Sequence, residues 1–470
     1  MSFYQNGRNM DYKIGADNYV LIREFRWNYD QNFPHLNREA TEYLNNGYSI
    51  LELDSVTEGG LTRLDKSDLN QIDYHEVWLN GDSTKPIFYK PFSGFKNLLK
   101  TCKTFRHTKP TETLIKGNEK FIYLIDNSIF EKYKSIKIPE QILHQIKLGN
   151  VVVVINSANE PYSFEPIHYT NQLISLGNRY NLNKTNFKVL TGDQKPIEIP
   201  DLNFEFIPYN YFLDFPWFIN LNAEASTKRL NQHQIENSLF LKRMIDRNRE
   251  ITFKRVGLCY QRRAHSHRRV VMYEFYHDEI VRDNIFMSFW NESRTQFQSY
   301  EPFRYSTKET AVMNDFFKDF RENLNFDDCD LSQNQASGLE VEAHKETFVS
   351  IVSETRYFNS LFFSEKTFKP IYCLQPFIII NANGSLEHLK NLGFQTFNKW
   401  WDESYDEAPT LRDKLQKIKD IIKRLSKLSD KELHDMYQEM EPILIHNYNH
   451  FTDLNRLELH GVLQKIYDEI

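Results

Sequence analysis

Residues 149–160 constrain the fold more than any other stretch of this chain. Gly149-Asn150 breaks a helical pattern, and Val151-Val152-Val153-Val154-Ile155 follows with no polar residue in it. Consecutive β-branched side chains favour the extended backbone, and alternate residues of a strand point to opposite faces, so an unbroken apolar run needs cover on both. That is a strand of a parallel sheet with helices on either side. The run ends in Asn156-Ser157-Ala158-Asn159-Glu160, where a loop is expected to leave the strand's carboxyl end.

The surrounding pattern agrees with a doubly wound sheet. The spacing predicts strands at 48–53, 120–125, 187–190 and 204–208, with helices at 38–45, 139–148 and 167–180. After a polar, helical stretch at 226–249 the alternation resumes, with strands at 255–260, 285–289 and 376–380 and a helix from 270 to 282. Residues 291–343 read as polar and poorly patterned. From Leu411 the chain is helical, with Leu411, Leu415, Ile418, Ile422 and Leu425 at helical spacing. The expected fold class is therefore α/β: two Rossmann-like domains facing across a cleft, with a helical C-terminal segment. Their division, 1–245 and 246–470, is placed within about twenty residues of Glu250.

Length and composition fit this reading. At 470 residues and 40% hydrophobic content, rich in Phe and Tyr, the chain exceeds one ordinary core and is not a disordered scaffold. A formal charge of −6 provides no overall field for polyanions. Cys102, Cys259, Cys329 and Cys373 lack the pairing of a disulfide framework or zinc site, which favours a reducing compartment. The apolar runs fall short of the ~20 residues that cross a bilayer. Without a basic-then-apolar leader, the expected location is the cytoplasm, with no membrane span.

Two segments of the second half carry the chemistry. Phe348-Val349-Ser350-Ile351-Val352 reads as a buried strand ending in Ser353-Glu354-Thr355, and Ser364-Glu365-Lys366 opens a helix that continues Thr367-Phe368-Lys369-Pro370. A carboxylate beside two cations at such a junction suits a nucleotide sugar: Glu365 can accept from ribose hydroxyls, while Lys366, Lys369 and free N–H groups of the helix N-terminus meet a diphosphate. The plainer reading is a helix cap with solvated charges. The second segment follows the strand at 255–260, where Arg262, Arg263, Arg268 and Arg269 with His265 and His267 form a basic loop before the next helix. Arginines fork onto phosphate oxygens, so a diphosphate could lie between the two segments. A solvated turn or a nucleic-acid patch is the alternative.

Together these segments resemble two-Rossmann-domain glycosyltransferases of the GT-B type, especially α-fucosyltransferase and exostosin-like enzymes and sugar transferases of large phages and algal viruses. The resemblance spans 254–406 and includes Pro376-Phe377-Ile378-Ile379 and Leu392-Gly393-Phe394-Gln395-Thr396-Phe397. It implies transfer of a sugar from a nucleoside diphosphate, UDP or GDP, to a hydroxyl of a glycan, a protein or a modified DNA base, without a metal cofactor and with inversion. It also implies that Glu365 contacts the donor ribose, and that Lys366, Arg268 and Lys369 contact the diphosphate. Thr367-Phe368-Lys369-Pro370 departs from the Tyr-Asn-Ala-Leu type of helix usual in fucosyltransferases, leaving donor sugar and base open.

An inverting transfer needs a general base from the first half. Glu160 is the first candidate, at the end of the valine strand; Asp126 occupies the same place on the preceding strand, and Asp193 on a later one. Asp328-Cys329-Asp330 has the spacing of a divalent-cation pair but sits in a polar loop, and His265 and His267 lack a third ligand. Trp400-Trp401 is expected to pack a surface. The lysine-rich helix after 411 reads as amphipathic and solvated, and with the arginine loop it supports the rival function of a nucleic-acid-binding protein. A structural protein that keeps the fold without catalysis is the second rival.

Overall fold

The computed structural model describes residues 11–14, 19–23, 49–53, 61–64, 76–80, 105–108, 121–126, 138, 140–158, 166–195, 201–214, 241–242, 244–246, 252–261, 265–289, 305–319, 341–357, 361–453 and 458–469. The described strands form three sheets. β1 (Asp11–Ile14), β2 (Tyr19–Arg23), β3 (Ser49–Leu53) and β4 (Leu61–Leu64) make a mixed sheet in that order. The strand expected at 48–53 is β3, and the described part of it pairs with β2 and β4.

The second sheet contains β5 (Glu76–Asn80), β6 (Phe105–Thr108), β7 (Phe121–Asp126), β8 (Val151–Ser157), β9 (Phe187–Thr191) and β10 (Glu205–Pro208). Its order is β10-β9-β8-β7-β5-β6; β7 to β10 run parallel, and β5 and β6 form an antiparallel margin. The third sheet, β11 (Arg255–Gln261), β12 (Ile285–Phe289), β13 (Thr347–Ser353) and β14 (Phe377–Ile380), is parallel throughout in the order β12-β11-β13-β14. Chain order reverses between β11 and β13, the place where open α/β sheets leave a crevice.

The helices used below are α1 (Glu140–Lys147), α2 (Pro166–Tyr180), α3 (Ser266–Tyr276), α4 (Glu279–Asn284), α5 (Thr307–Asp319), α6 (Val341–Lys345), α7 (Glu365–Tyr372), α8 (Ser385–Asn391), α9 (Leu411–Leu425), α10 (Asp430–Thr452) and α11 (Glu458–Asp468). Gly149 ends α1 at φ 76°, a left-handed conformation open to glycine, and Asn150 N–H returns to Gln145 O at 3.0 Å.

The valine strand is covered as its pattern requires. Val151, Val153 and Ile155 pack with Ile142 and Ile146 of α1 and Leu173 and Leu176 of α2. Val152 and Val154 belong instead to a core that includes Leu463 and Ile466 of α11. Each such side chain, fully buried, contributes about 1.5–3 kcal/mol. Helix α11 packs on β7 and on the turn at Tyr211–Asp214, so part of the cover for this face of the sheet comes from the far end of the described sequence.

Three local expectations are corrected. The helix expected from 270 begins at Ser266, so Arg268 and Arg269 lie in its first turn, both 2% exposed, rather than in a phosphate-binding loop before it. It also divides: Asp278 accepts from Val281 N–H at 3.3 Å and starts α4. Within 291–343, expected to lack pattern, stand α5 and α6; Met313 and Phe317 of α5 are buried at helical spacing, and Arg269 lies 5.1 Å over the Phe317 ring. The arginine stem and planar head suit such an apolar seat.

The carboxyl ends of the two parallel sheets face each other. Beyond β9, Gln194 N–H donates to Leu361 O at 2.8 Å. Phe212 meets Phe362 edge-on at 6.0 Å. Helix α11 then joins the first half: its Glu458 N–H donates to Asp214 Oδ1 at 2.8 Å, and Glu469 pairs with Lys188 at 2.8 Å. Among the described residues no helix is long and apolar enough to cross a membrane.

Candidate functional site

The junction of β13 and α7 is organised by Glu354. Its carboxylate is fully buried and accepts from Ser364 N–H (3.0 Å), Ser364 Oγ (2.6 Å), Thr367 Oγ1 (2.6 Å) and Thr355 N–H (3.0 Å). A buried charge requires such complete pairing. Its backbone oxygen accepts from Arg268 Nη2 at 3.1 Å and from His267 Nε2 at 2.9 Å. One residue therefore links the end of β13, the start of α7 and the first turn of α3. Burial, then the neighbouring Arg268 charge, pushes His267 well below its ordinary pKa, so the ring is neutral and its Nε2 carries the donated proton.

The two segments singled out from the sequence do meet here, with altered roles. Arg268 is directed at backbone: Nη2 also donates to Ser353 O at 3.2 Å. Lys366 Nζ donates to Glu365 Oε1 (2.8 Å), Ser364 Oγ (3.0 Å) and Thr355 Oγ1 (3.4 Å), engaging the three donors of an ammonium group. Ser364 caps α7, taking Lys366 N–H on its hydroxyl and Thr367 N–H on its carbonyl, so those N–H groups are not free as expected. Burial raises the Glu365 carboxyl, but the charges of Lys366 and Lys369 and the bond from Lys366 outweigh it and hold the group below its usual value. Glu365 is ionised.

Beside this junction is a cavity of about 70 Å³ lined by Tyr260, His344, Ser353, Glu365, Lys366 and Lys369, among others. It admits one small polar group; the rest of a larger ligand would lie outside it. His344 is buried, with Nδ1 2.7 Å from Gln375 Oε1, and Gln375 Nε2 donates to Thr347 O at 2.9 Å. That amide orientation makes Nδ1 the protonated nitrogen. Burial pushes the His344 pKa down to about 4.

Asp126 closes β7 beside Asn156, at the carboxyl edge that faces the second half. Asp193 is buried on the loop after β9, its N–H donating to Thr191 Oγ1 at 3.2 Å. Glu160, Arg262, Arg263 and Asp328-Cys329-Asp330 lie outside the described residues. Among the described residues no group of three His, Cys, Asp or Glu side chains is placed to hold a metal ion. Trp401 is buried against Phe397 at 5.3 Å, the packing role expected of it.

The role of Glu354 is not legible in the sequence. The available signal is an acid directly after a buried strand, with Ser364 and Thr367 downstream as hydroxyl donors. No protein-family model, curated protein or solved structure matches the chain.

Proposed function

We propose that the chain is a glycosyltransferase of the two-Rossmann-domain type, moving a sugar from a nucleoside diphosphate to an acceptor hydroxyl in the cleft between the two parallel sheets. The observation that carries this reading is the cavity at the reversal of strand order, lined by Tyr260 of β11, Ser353 of β13 and Glu365 and Lys369 of α7. Such a place binds ligands in open α/β sheets because several loops converge there without closing.

The second half takes the donor, with Glu365 beside the sugar hydroxyls. Lys369 and the positive end of α7 face the developing charge of the leaving diphosphate, so this chemistry runs without a metal. Arg268 and Lys366 support the site by fixing the β13–α7 junction. The acceptor hydroxyl is deprotonated from the first half by Asp126 or Glu160.

The nucleic-acid reading loses its helix. On α9, Lys419 pairs with Glu274 at 2.7 Å and Lys423 with Asp278 at 2.5 Å, Lys417 donates to Ser404 Oγ at 2.6 Å, and Lys414 is wholly buried. A modified DNA base stays within the acceptor classes, beside glycans and proteins.

A thermal-shift screen of UDP, GDP, ADP, CMP-sugars and the corresponding nucleotide sugars tests the function. Stabilisation by one base class is expected, weakened in Glu365→Ala, which should fold normally. No shift with any of them rejects the reading. Arg268→Ala is a poor probe of binding, because the side chain ties α3 to β13.

A further inference from the structure

Where strand order reverses, two buried polar atoms have no hydrogen-bond partner among the described residues. They are Gln261 Oε1, at the end of β11, and Ser353 Oγ, at the end of β13; each residue is 1% exposed. They stand at the ends of adjacent strands: the parallel pairing of β11 with β13 runs to Leu258 beside Ser350, and Gln261 and Ser353 each stand three residues further along. Gln261 Nε2 donates to Cys259 Sγ at 3.3 Å, which leaves the amide oxygen as the unfilled end. Native interiors pair such atoms or hold something that pairs them. Two orphans at the ends of adjacent strands, with Ser353 lining the crevice, point to a missing partner.

Their chemistry restricts that partner. Gln261 Oε1 only accepts, Ser353 Oγ accepts or donates, and the nearby Glu365 carboxylate accepts. The diphosphate diester of a nucleotide sugar, fully ionised at neutral pH, has no proton to offer such a floor. A neutral group with adjacent O–H donors satisfies all three and returns an oxygen to the Ser353 proton. We infer that Gln261 and Ser353 form the floor of a vicinal-diol subsite, with Glu365 at its rim. The diol belongs to the ribose of a nucleotide or to the transferred sugar. The inference rests on the nucleotide-sugar reading for that choice of source.

Calorimetric binding of UDP and GDP, their 2′-deoxy counterparts, and UDP- and GDP-hexoses to wild type, Ser353→Ala and Gln261→Leu tests it. If ribose is the source, wild type prefers the ribonucleotide over the deoxynucleotide by about tenfold or more, and each variant loses most of that preference. If the transferred sugar is the source, the variants instead lose the added affinity of the nucleotide hexose over its diphosphate. Because neither oxygen has a partner among the described residues, and Gln261→Leu gives up only the weak bond to the Cys259 sulfur, both variants should keep or raise the ligand-free Tm. A clear drop in that Tm in both, or wild-type affinities and preferences in both, overturns the proposal. So does a preference set by the base alone.

If no nucleotide ligand binds wild type, the function proposed above falls, and methyl riboside and methyl hexosides decide the subsite separately. Protection of wild type that is lost in Ser353→Ala keeps the diol site. Absence of protection discards it too.

Discussion

The two parallel sheets solve the same problem with different materials. The β7–β10 sheet is covered by α1 and α2 on one face and by distant α11 on the other, and its carboxyl ends meet the second half through close apolar packing at Gly192, Phe212 and Phe362. In the β11–β14 sheet the carboxyl end of β13 is held by a buried carboxylate with four hydrogen bonds and by neutral histidine and arginine donors. Apolar packing tolerates small adjustments, whereas a desolvated charge fixes donor positions and fails when one is removed. The candidate site lies in the half with fixed geometry.

The largest expected effect comes from deleting residues 454–470. Val462, Leu463 and Ile466 leave the face of the β7–β10 sheet, a loss of about 5–9 kcal/mol from three buried side chains. Limited proteolysis should then cut the first half while sparing the second; equal sensitivity of both halves would break the comparison.

Next, Glu354→Ala removes the acceptor of four donors, and the second half should lose about 3–5 kcal/mol in denaturant unfolding. A loss below about 1 kcal/mol would mean that water replaces the carboxylate and the junction is not charge-organised.

Acid should select the same half. Unfolded, His344 takes a proton near its ordinary pKa of 6.5; folded, it does so only near pH 4. Between those values the unfolded chain alone is protonated, so stability falls as pH is lowered through that window, by roughly 3 kcal/mol at full effect. His267, also depressed by burial, acts in the same direction. Hydrogen exchange at pH 7 and pH 4.5 should show β11–β14 losing protection first, and His344→Gln should flatten the trend.

The smallest effect tests the apolar contact. A Cβ on Gly192 would stand 2.4 Å from the Phe362 ring and 2.6 Å from Ala158 O, so Gly192→Ala should cost about 1–3 kcal/mol as the halves shift apart. An unchanged Tm would show that the interface yields freely.

How much of the fold is legible in the sequence depends on the range of each interaction. The valine strand, the Gly149 stop, the alternation of β7 to β10 and the capped start of α7 depend on near neighbours, and all are where the pattern puts them. The Arg268 segment departs from expectation because its chemistry is decided by Ser353 and Glu354, far along the chain, which turn a basic stretch into a buried first turn. Lys366 reads as available for a diphosphate for a similar reason: nothing local reveals that Thr355, on the far side of the junction, receives one of its protons while Ser364 takes another. Helix α5 escapes the pattern because its buried Met313 and Phe317 are interrupted by polar residues.

Helix α11 has a consequence for synthesis. A ribosome delivers β7 to β10 long before residues 458–468, so during that interval one face of the β7–β10 sheet lacks the part of its apolar cover that α11 supplies. The earliest parallel sheet made is then the last one completed, and the nascent first half depends on chaperones or on the pace at which the second half is translated. Supplying 458–468 in trans to stalled chains would show whether that waiting face can be closed early.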